Sequence, residues 1–324
     1  MGIVAERRKI MWKKIMGGLL ALLFLLPCGC GRKAADPLKE TAEYLQQAVP
    51  QPALGSVGGE WLILGLSRWE GELPAEYVQG YLQRLEQTLQ EKNGVLSSRK
   101  YTEYSRVILA LTALGQDPAA FAGYDLLKPL ADYQQVLVQG LNGPVFALLA
   151  LDSGDYPLPQ DPEITEQASR EKYVEYILSR QEADGGWGLS QGASDVDMTA
   201  MTLQALAKYA QRSDAAQAIE GGLTWLSAQQ QESGGFVSYG AENSESIVQV
   251  IVALGELGVS IEDPRFVKNG HDLAEALAQF RQEDGSYSHA LGQGTDQMAS
   301  EQAFYALVSL QRQKQGKSSF YRMK

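Results

Sequence analysis

The stretch Gln181-Glu-Ala-Asp-Gly185-Gly-Trp187 decides the fold. Its pattern is a glutamine, three residues, a glycine, one residue and a large apolar residue. Five further copies align with it, the last with arginine in place of glutamine: Gln51…Gly55…Val57, Gln90…Gly94…Leu96, Gln139…Gly143…Val145, Gln230…Gly234…Phe236 and Arg281…Gly285…Tyr287. Successive glycines are 39, 49, 42, 49 and 51 residues apart. A quasi-regular period of this size is typical of a helical repeat protein.

Each unit predicts a half-exposed helix before its glycine and an enclosed helix after it. The apolar stripe before Gly234 consists of Ala216, Ile219, Leu223 and Leu226, at helical spacing. After the glycine, residues 247–254 are apolar except for Gln249. A helix that is apolar on all sides must be buried on all sides. The enclosed helices align on Ile63, Leu111, Leu148, Leu206, Leu254 and Leu307.

Six such pairs predict a closed ring of helices. An open stack of repeats needs polar faces on its terminal units. The first and last enclosed helices, at 61–66 and 304–310, are almost entirely apolar. Long alternating β-branched patterns are missing from the sequence. We therefore expect an all-α protein, a single (α/α)6 toroid of six outer and six inner helices over residues 37–315, followed by a short tail at 316–324.

The N-terminal thirty residues are typical of an export and anchoring segment. A cluster of five basic residues precedes an apolar run from Ile15 to Leu26. As a helix this run would rise about 18 Å, too short for a hydrocarbon core of about 30 Å, so it fits a secretory signal. Its end, Leu25-Leu-Pro-Cys28-Gly-Cys30, resembles a bacterial lipobox. We predict a signal peptide over 1–29, lipidation of Cys30 and a tether over 30–36. A plain cleaved signal or a short N-terminal anchor is the alternative.

Removal of residues 1–29 makes the chain more acidic. The whole chain has 28 Lys+Arg, 39 Asp+Glu, two His, two Cys and a net charge of −11. The mature chain would have 295 residues at −15. Such an acidic surface is a poor partner for nucleic acid and for anionic lipid headgroups, so the lipid on Cys30 would hold the protein on the extracytoplasmic face of the cell membrane. If Cys30 is lipidated, the mature chain has no cysteine left for folding, which excludes disulfides, a catalytic thiol and thiolate metal ligands.

The Gln-x-x-x-Gly-x-Trp units resemble those of the terpene cyclase and protein prenyltransferase superfamily of squalene cyclase-like toroids, here in a bacterial surface lipoprotein. That superfamily also includes complement thioester domains and cobalamin carriers. The resemblance covers the mature chain and is most specific over residues 181–207. It implies that the glutamine ties neighbouring helix ends, since an amide both donates and accepts hydrogen bonds. It also implies that the motif aromatics Trp187 and Tyr287 have a packing role beside the first residue of their motif, with ligand binding as their alternative role.

The chemistry of these relatives requires residues that this chain lacks. Zinc prenyltransferases use an Asp, a Cys and a His at the starts of inner helices. Here Asp197 stands at the cysteine place, and the last inner helix opens Asp296-Gln-Met298 without a histidine. Thioester proteins need a Cys-Gly-Glu-Gln segment, which the sequence does not contain. We therefore expect no metal and no cofactor.

The segment Asp195-Val-Asp197-Met-Thr-Ala200 has three interpretations. It resembles the Asp-x-Asp-Asp-Thr-Ala motif of class II terpene cyclases, which implies that Asp197 donates a proton and that Asp195 supports it. Such a step needs a protonated carboxylic acid in a dry, apolar cavity. Alternatively, Ser194 and Asp197 form a capping-box-like arrangement, in which both aspartates favour the helix dipole. The third interpretation is contact with a ligand or an ion.

Three loops before inner helices, at 188–194, 237–243 and 290–295, predict the binding face. They contain Gly, Ser and Tyr239, and His289 adjoins the third loop. Loops on a rigid scaffold usually carry recognition, so we predict ligand contacts from Tyr239 and His289 as well as from Trp187 and Tyr287. The favoured function is a non-catalytic module that binds an unknown small molecule or surface protein. The alternatives are a cyclase-like enzyme that uses Asp197 and a carbohydrate-active (α/α)6 enzyme with paired carboxylates.

Overall fold

The computed structural model describes residues 36–238 and 240–324, and the helices lie in the unit Pro37–Lys324. The outer helices are α1 (Pro37–Ala48), α3 (Ala75–Glu91), α5 (Tyr133–Leu137), α7 (Arg170–Ser179), α9 (Ser213–Gln229) and α11 (Leu273–Ala278). The inner helices are α2 (Glu60–Arg68), α4 (Thr102–Ala113), α6 (Asn142–Ser153), α8 (Val196–Leu206), α10 (Ser244–Leu257) and α12 (Gln297–Lys314). Short 3₁₀ helices span Lys128–Ala131, Ala207–Tyr209 and Pro264–Phe266, and β1 (Val237–Ser238) pairs antiparallel with β2 (Ala241–Glu242). The predicted signal peptide, Cys30, most of the tether and Tyr239 lie outside the described residues.

The inner helices form a closed ring. Each packs against the next in chain order from α2 to α12, and α12 packs back against α2 and against the outer helix α1. The ends of the array therefore bury each other, as the apolar terminal helices require. The prediction of an all-α toroid with six outer and six inner helices is confirmed.

The apolar patterns lie almost where the sequence predicts them. Of the six residues on which the inner helices align, five are fully buried and Leu307 is partly buried. In the stripe on α9, Ile219, Leu223 and Leu226 face the core, but Ala216 is exposed and Ala215 takes its place. The helix α10 is buried at nearly every position, in agreement with its apolar character on all sides.

Glutamines connect neighbouring units in the second half of the ring. The Nε2 atom of Gln181 donates to the carbonyls of Gly185 and Ala218, both at 2.8 Å. Gln230 donates in the same way to the carbonyls of Gly234 and Phe266. Each amide thus holds its own turn against the next unit.

The third predicted copy is wrong in register. Gly143 lies inside α6 and not in a turn, because α6 already begins at Asn142. The left-handed turn residue before this helix is Gly140, with φ of 57°. The outer helix of this unit is correspondingly short, five residues in α5.

The inner helices of units four to six begin with a side-chain cap. Asp195 accepts a hydrogen bond from the backbone N–H of Met198 at 2.7 Å, Asn243 caps α10, and Asp296 caps α12. The predicted capping pair of Ser194 and Asp197 is wrong by one residue, because Ser194 instead donates to Asp184 at 2.7 Å. The three caps fix the points where the long loops enter the ring. We call the end formed by loops 188–194, 237–243 and 290–295 the loop face.

The C-terminal segment seals the opposite end of the ring. Arg68 donates to the backbone carbonyls of Ser319, Phe320 and Arg322. The buried carboxylate of Glu256 accepts from the Ser319 hydroxyl at 2.6 Å and from the Tyr321 backbone N–H at 2.9 Å. Phe320 is fully buried, with its ring 5.4 Å from that of Tyr305. The predicted tail is therefore packed against the inner helices.

Candidate functional site

Trp187 and Tyr287 lie beneath the loop face, in the joints between units. Trp187 is fully buried, and its indole N–H donates to the carbonyl of Ile177 at 2.9 Å. The ring lies so close to α9 that a Cβ atom at Gly222 would be 2.9 Å from it, so this position requires glycine. Tyr287 is 1% exposed, and its backbone N–H donates to the Ser300 hydroxyl. This burial favours the packing role of both aromatic residues, and their ligand-binding role stays a prediction.

Predicted site residues from different units converge on the loop face. His289 contacts Glu245 through Nδ1, 2.9 Å from Oε2 and 3.0 Å from Oε1. The backbone N–H of Ser244 donates to the carbonyl of His289 and fixes the loop beside α10. Asp197 from α8 lies within electrostatic range of this pair and of Asp195, the cap of the same helix. The result is a cluster of three carboxylates and one imidazole, which we call the acidic cluster: Asp195, Asp197, Glu245 and His289.

The Asp197 carboxyl has an unusual environment. Burial raises its pKa to about 6; the Ser246 hydroxyl and His289 oppose this rise, whereas the carboxylates of Asp195 and Glu245 reinforce it. Its Oδ1 atom is buried and has no hydrogen bond of standard geometry within the described ranges, and the Ser246 hydroxyl has none either. Burial also raises the pKa of Asp195, although its capping bond from Met198 works in the opposite direction. The Asp197 carboxyl therefore gains or loses its proton near pH 6.

Side chains occupy the ring axis below the acidic cluster. The Nε2 atom of Gln249 donates to the Tyr305 hydroxyl at 2.8 Å and to Gln302. Trp61 packs against Tyr305 on one side and Phe146 on the other, with ring centroids 6.2 and 5.8 Å apart. These contacts run from α10 through α12 and α2 to α6 and so cross the ring. Burial first, then the carboxylates of Asp197, Glu245 and Glu301, raise the pKa of the Tyr305 hydroxyl.

A surface groove of about 380 Å³ adjoins the acidic cluster. Leu189, Asp195, Trp225 and Val237 line it, together with neighbouring loop residues. Asp184 holds its wall in place: it accepts from the Trp225 indole N–H and the Ser194 hydroxyl. Although partial burial opposes the charge on Asp184, these hydrogen bonds and that of the Gly186 backbone lower its pKa. The groove therefore has prearranged walls.

Each of the three predicted loops presents an exposed large apolar residue. Leu189 is 54% exposed, Val237 44% and Leu291 48%, and Met298 at the start of α12 is 42% exposed. The second and third loops are joined by an antiparallel bridge between Asn243 and Ala290. Apolar side chains thus surround a charged centre, a combination that marks interaction sites on soluble proteins.

The sequence patterns did not identify two acidic residues that lie at this end of the ring. Glu245 stands two residues after the cap Asn243, as Asp197 stands two residues after the cap Asp195, so alignment of the caps would have found it. Glu301 is 2% exposed, and burial raises its pKa to about 7 despite hydrogen bonds from Gln297 and Gly58. Its position inside α12 carried no comparable pattern.

Residues 36–238 and 240–324 contain neither a metal-ligand cluster nor a membrane-spanning helix. In that part of the chain, no group of three or more His, Cys, Asp or Glu side chains is arranged to hold a metal ion. Nor does any helix within it have the length and apolar character needed to cross a membrane.

A closed ring of paired helices with its loops at the inner-helix starts defines an α/α-toroid protein. The prenyltransferase alpha-alpha toroid domain family matches the chain at residues 130–255 and 202–317, together more than half of its length. The chain belongs to this family, and the predicted resemblance to the toroid superfamily is confirmed.

Similar solved structures include an unsaturated glucuronyl hydrolase from Bacillus sp. GL1, responsible for the degradation of glycosaminoglycan. It is 14% identical with a TM-score of 0.58, over 89% of this chain and 98% of the hydrolase. A type II terpene cyclase from Scytonema is 13% identical with a TM-score of 0.56, over 86% and 96% of the two chains. A protein from Actinoplanes has the same identity and TM-score, over 86% and 98%. No curated protein matches the sequence significantly. At these identities the likeness concerns the fold alone.

Proposed function

We propose that this protein is an exported, lipid-anchored toroid whose loop face binds a ligand or a partner protein without catalysis. The observation that carries the proposal is the set of exposed apolar residues, one on each of the three loops, around the acidic cluster. The axis beneath this face is crossed by Trp61, Tyr305 and Gln249. Recognition therefore takes place on the surface of the loop face and in its groove.

The charges of the site indicate what the ligand offers. Asp195, Asp197 and Glu245 present negative charge, and the whole chain carries −11. Leu189, Val237 and Leu291 present apolar surface. A ligand that combines a basic group with apolar surface satisfies both features, because burial of apolar area supplies affinity and complementary charge supplies orientation.

Site-specific photo-crosslinking in the host tests this binding function. A photoreactive side chain at Leu189 should give discrete adducts, whether with a small molecule or with a protein. The matched control is Val138, which is 52% exposed but lies at the end of the outer helix α5. Identical adducts from both positions, or none from position 189, would contradict the proposal.

The lipid anchor requires its own test. Metabolic labelling with a fatty-acid analogue should mark the wild-type protein and the Cys28→Ser variant, and leave Cys30→Ser unlabelled. Equal labelling of the two variants would assign the lipid to neither cysteine in particular, and an unlabelled wild-type protein would favour a plain cleaved signal.

The second candidate function is acid catalysis by Asp197. The pKa of about 6 and the unpartnered Oδ1 atom favour it, since a general acid must hold a proton near neutral pH. The terpene cyclase from Scytonema takes geranylgeranyl dihydroxybenzoate as substrate, and this compound is a suitable probe. Product formation that disappears in Asp197→Asn would establish the enzyme. Unchanged substrate with wild-type protein would leave binding as the function.

A further inference from the structure

A second cavity lies outside the ring axis, at the joint of the first two units. It has a volume of about 170 Å³ and lies between α2, α3 and α4. In units four to six, the motif aromatic is buried in each joint. The motif residues of the first two units are instead Val57, which is 46% exposed, and Leu96, which lines the cavity.

Arg106 lines this cavity, and one edge of its guanidinium group is held by a hydrogen bond. The Nε atom of Arg106 donates to Oε2 of Glu60 at 3.2 Å. Glu60 is 1% exposed, and both of its oxygens also accept from the Gly55 backbone N–H. Neither Nη group of Arg106 has a hydrogen-bond partner in residues 36–238 and 240–324. Glu60 thus fixes the orientation of the guanidinium while its Nη groups stay available.

The segment from α3 to α4 that borders the cavity is basic, whereas the charged lining itself is balanced, with Lys92 and Arg106 against Glu60 and Glu103. Residues 92–106 contain four basic residues, Lys92, Arg99, Lys100 and Arg106, against Glu103 alone, in a protein of net charge −11. Lys92 is exposed and lines the cavity, and its ammonium forms no ion pair with any described residue. Glu103 also lines the cavity and is not within ion-pair distance of Arg106.

We propose that this cavity binds a small oxyanion, a carboxylate or phosphate group, between the Nη groups of Arg106 and the ammonium of Lys92. A planar guanidinium pairs with both kinds of group through two parallel hydrogen bonds, and an ammonium adds a point charge. The site is separate from the loop face, so it goes beyond the proposed function. Glu103 weakens binding of an anion and restricts the site to ligands that leave its carboxylate in solvent.

Isothermal titration calorimetry of the full-length protein tests the site with two probes, inorganic phosphate and malonate. At least one of them should bind with a stoichiometry near one, and the comparison of the two shows whether a phosphate or a carboxylate is preferred. Lys92→Gln should weaken binding on the order of fivefold, and Glu103→Gln should strengthen it by a similar factor, as expected for a partly exposed charge. Arg106→Gln should abolish it.

The control is Lys314→Gln, which removes an exposed lysine at the opposite end of the ring. It should leave the affinity unchanged. Arg106→Gln leaves the buried Glu60 without its partner and can impair folding. The Lys92 and Glu103 variants change exposed or partly exposed side chains, and they therefore decide the test. Failure of both probes to bind, or equal affinities in the Lys92 and Lys314 variants, would overturn the proposal.

Discussion

The two halves of the ring differ in how their repeat motifs are packed. We call units four to six the regular half and units one to three the irregular half. In units four to six, the motif residues Trp187, Phe236 and Tyr287 are at most 1% exposed, and the inner helices begin with side-chain caps. In units one to three, Val57 is exposed, and the residues that precede α2, α4 and α6 give these helices no cap from their own side chains. The motif glutamines also differ in their partners. Gln230 donates to two backbone carbonyls, whereas Gln90 bonds only within its own helix. Gln139 in the third unit connects to Thr102 at the start of α4.

This division shows where the repeat motif is needed. The loop face and its acidic cluster are built on the regular half, since long loops require helix starts held at fixed positions. In units one to three the connections from outer to inner helix are shorter, and a charged cavity lies at the first joint. The family match at residues 130–317 includes all of the regular half.

The largest expected effect is the loss of a motif aromatic. Trp187→Ala removes a fully buried indole and should lower the free energy of unfolding by roughly 3–5 kcal/mol. The matched change in the first unit, Val57→Ala, alters an exposed side chain and should cost less than about 0.5 kcal/mol. Urea denaturation followed by circular dichroism measures both. Similar losses in the two variants would remove the distinction between the halves.

Loss of the hydrogen bonds that a motif glutamine donates to two carbonyls should have the next largest effect on stability. Gln230→Met keeps the size of the side chain but leaves the carbonyls of Gly234 and Phe266 without their donor, which costs about 1–3 kcal/mol. Gln90→Met removes only an exposed bond to Glu86 and should be close to neutral. Hydrogen exchange at the 230–236 turn provides an independent measurement. An unprotected turn in the wild-type protein would show that these hydrogen bonds contribute little.

The fold could be predicted because the repeat recurs in the sequence at individual positions of the motif and of the inner helices. Inner-helix positions such as Ile63 and Leu254 recur with the motif and are fully buried. The third unit could not be placed correctly, because its glycine and its proline, Gly143 and Pro144, both fit inside the first turn of α6. The packing of Phe320 under the ring was also unpredictable, since it depends on Arg68, about 250 residues earlier.

The candidate site was predictable in part. Asp195, Asp197 and His289 stand out in the sequence because they lie at inner-helix starts and in loops. The contact of His289 with Glu245 depends on the bridge between Asn243 and Ala290, a tertiary pairing that no local pattern encodes. The protonation of Asp197 depends on burial, which follows from the closed ring and not from the segment itself.

Asp197 is a buried acid that forms no ion pair with a described lysine or arginine, whereas Glu60 in the first unit pairs with Arg106. Because the pKa of Asp197 is about 6 in the folded chain, above its unfolded value of roughly 4, its ionisation destabilises the fold as the pH rises through this window. Asp197→Asn should therefore gain about 1–2 kcal/mol at pH 8 and nothing below about pH 4.

Glu60→Gln provides the contrast. Burial also raises the pKa of Glu60, but Arg106 opposes the rise, so the gain at pH 8 should be smaller than in Asp197→Asn. Thermal unfolding of both variants between pH 4 and pH 8 measures the two gains. A pH-independent gain in Asp197→Asn would show that improved packing, and not the removed charge, is responsible.

The smallest effect concerns the cap of α8 and separates structure from charge. Asp195→Ala removes the bond to the Met198 N–H and should cost about 1 kcal/mol, whereas Asp195→Asn keeps a capping oxygen and should stay within about 0.5 kcal/mol of wild type.

If Asp195 serves only as a cap, crosslinking from position 189 should survive in the asparagine variant. If its charge orients the ligand, the adduct should weaken in Asp195→Asn while stability holds. Asp296→Asn, which changes the equivalent cap of α12, controls for the substitution itself. An equal loss of adduct in both asparagine variants would mean that the caps, and not the carboxylate of Asp195, support binding.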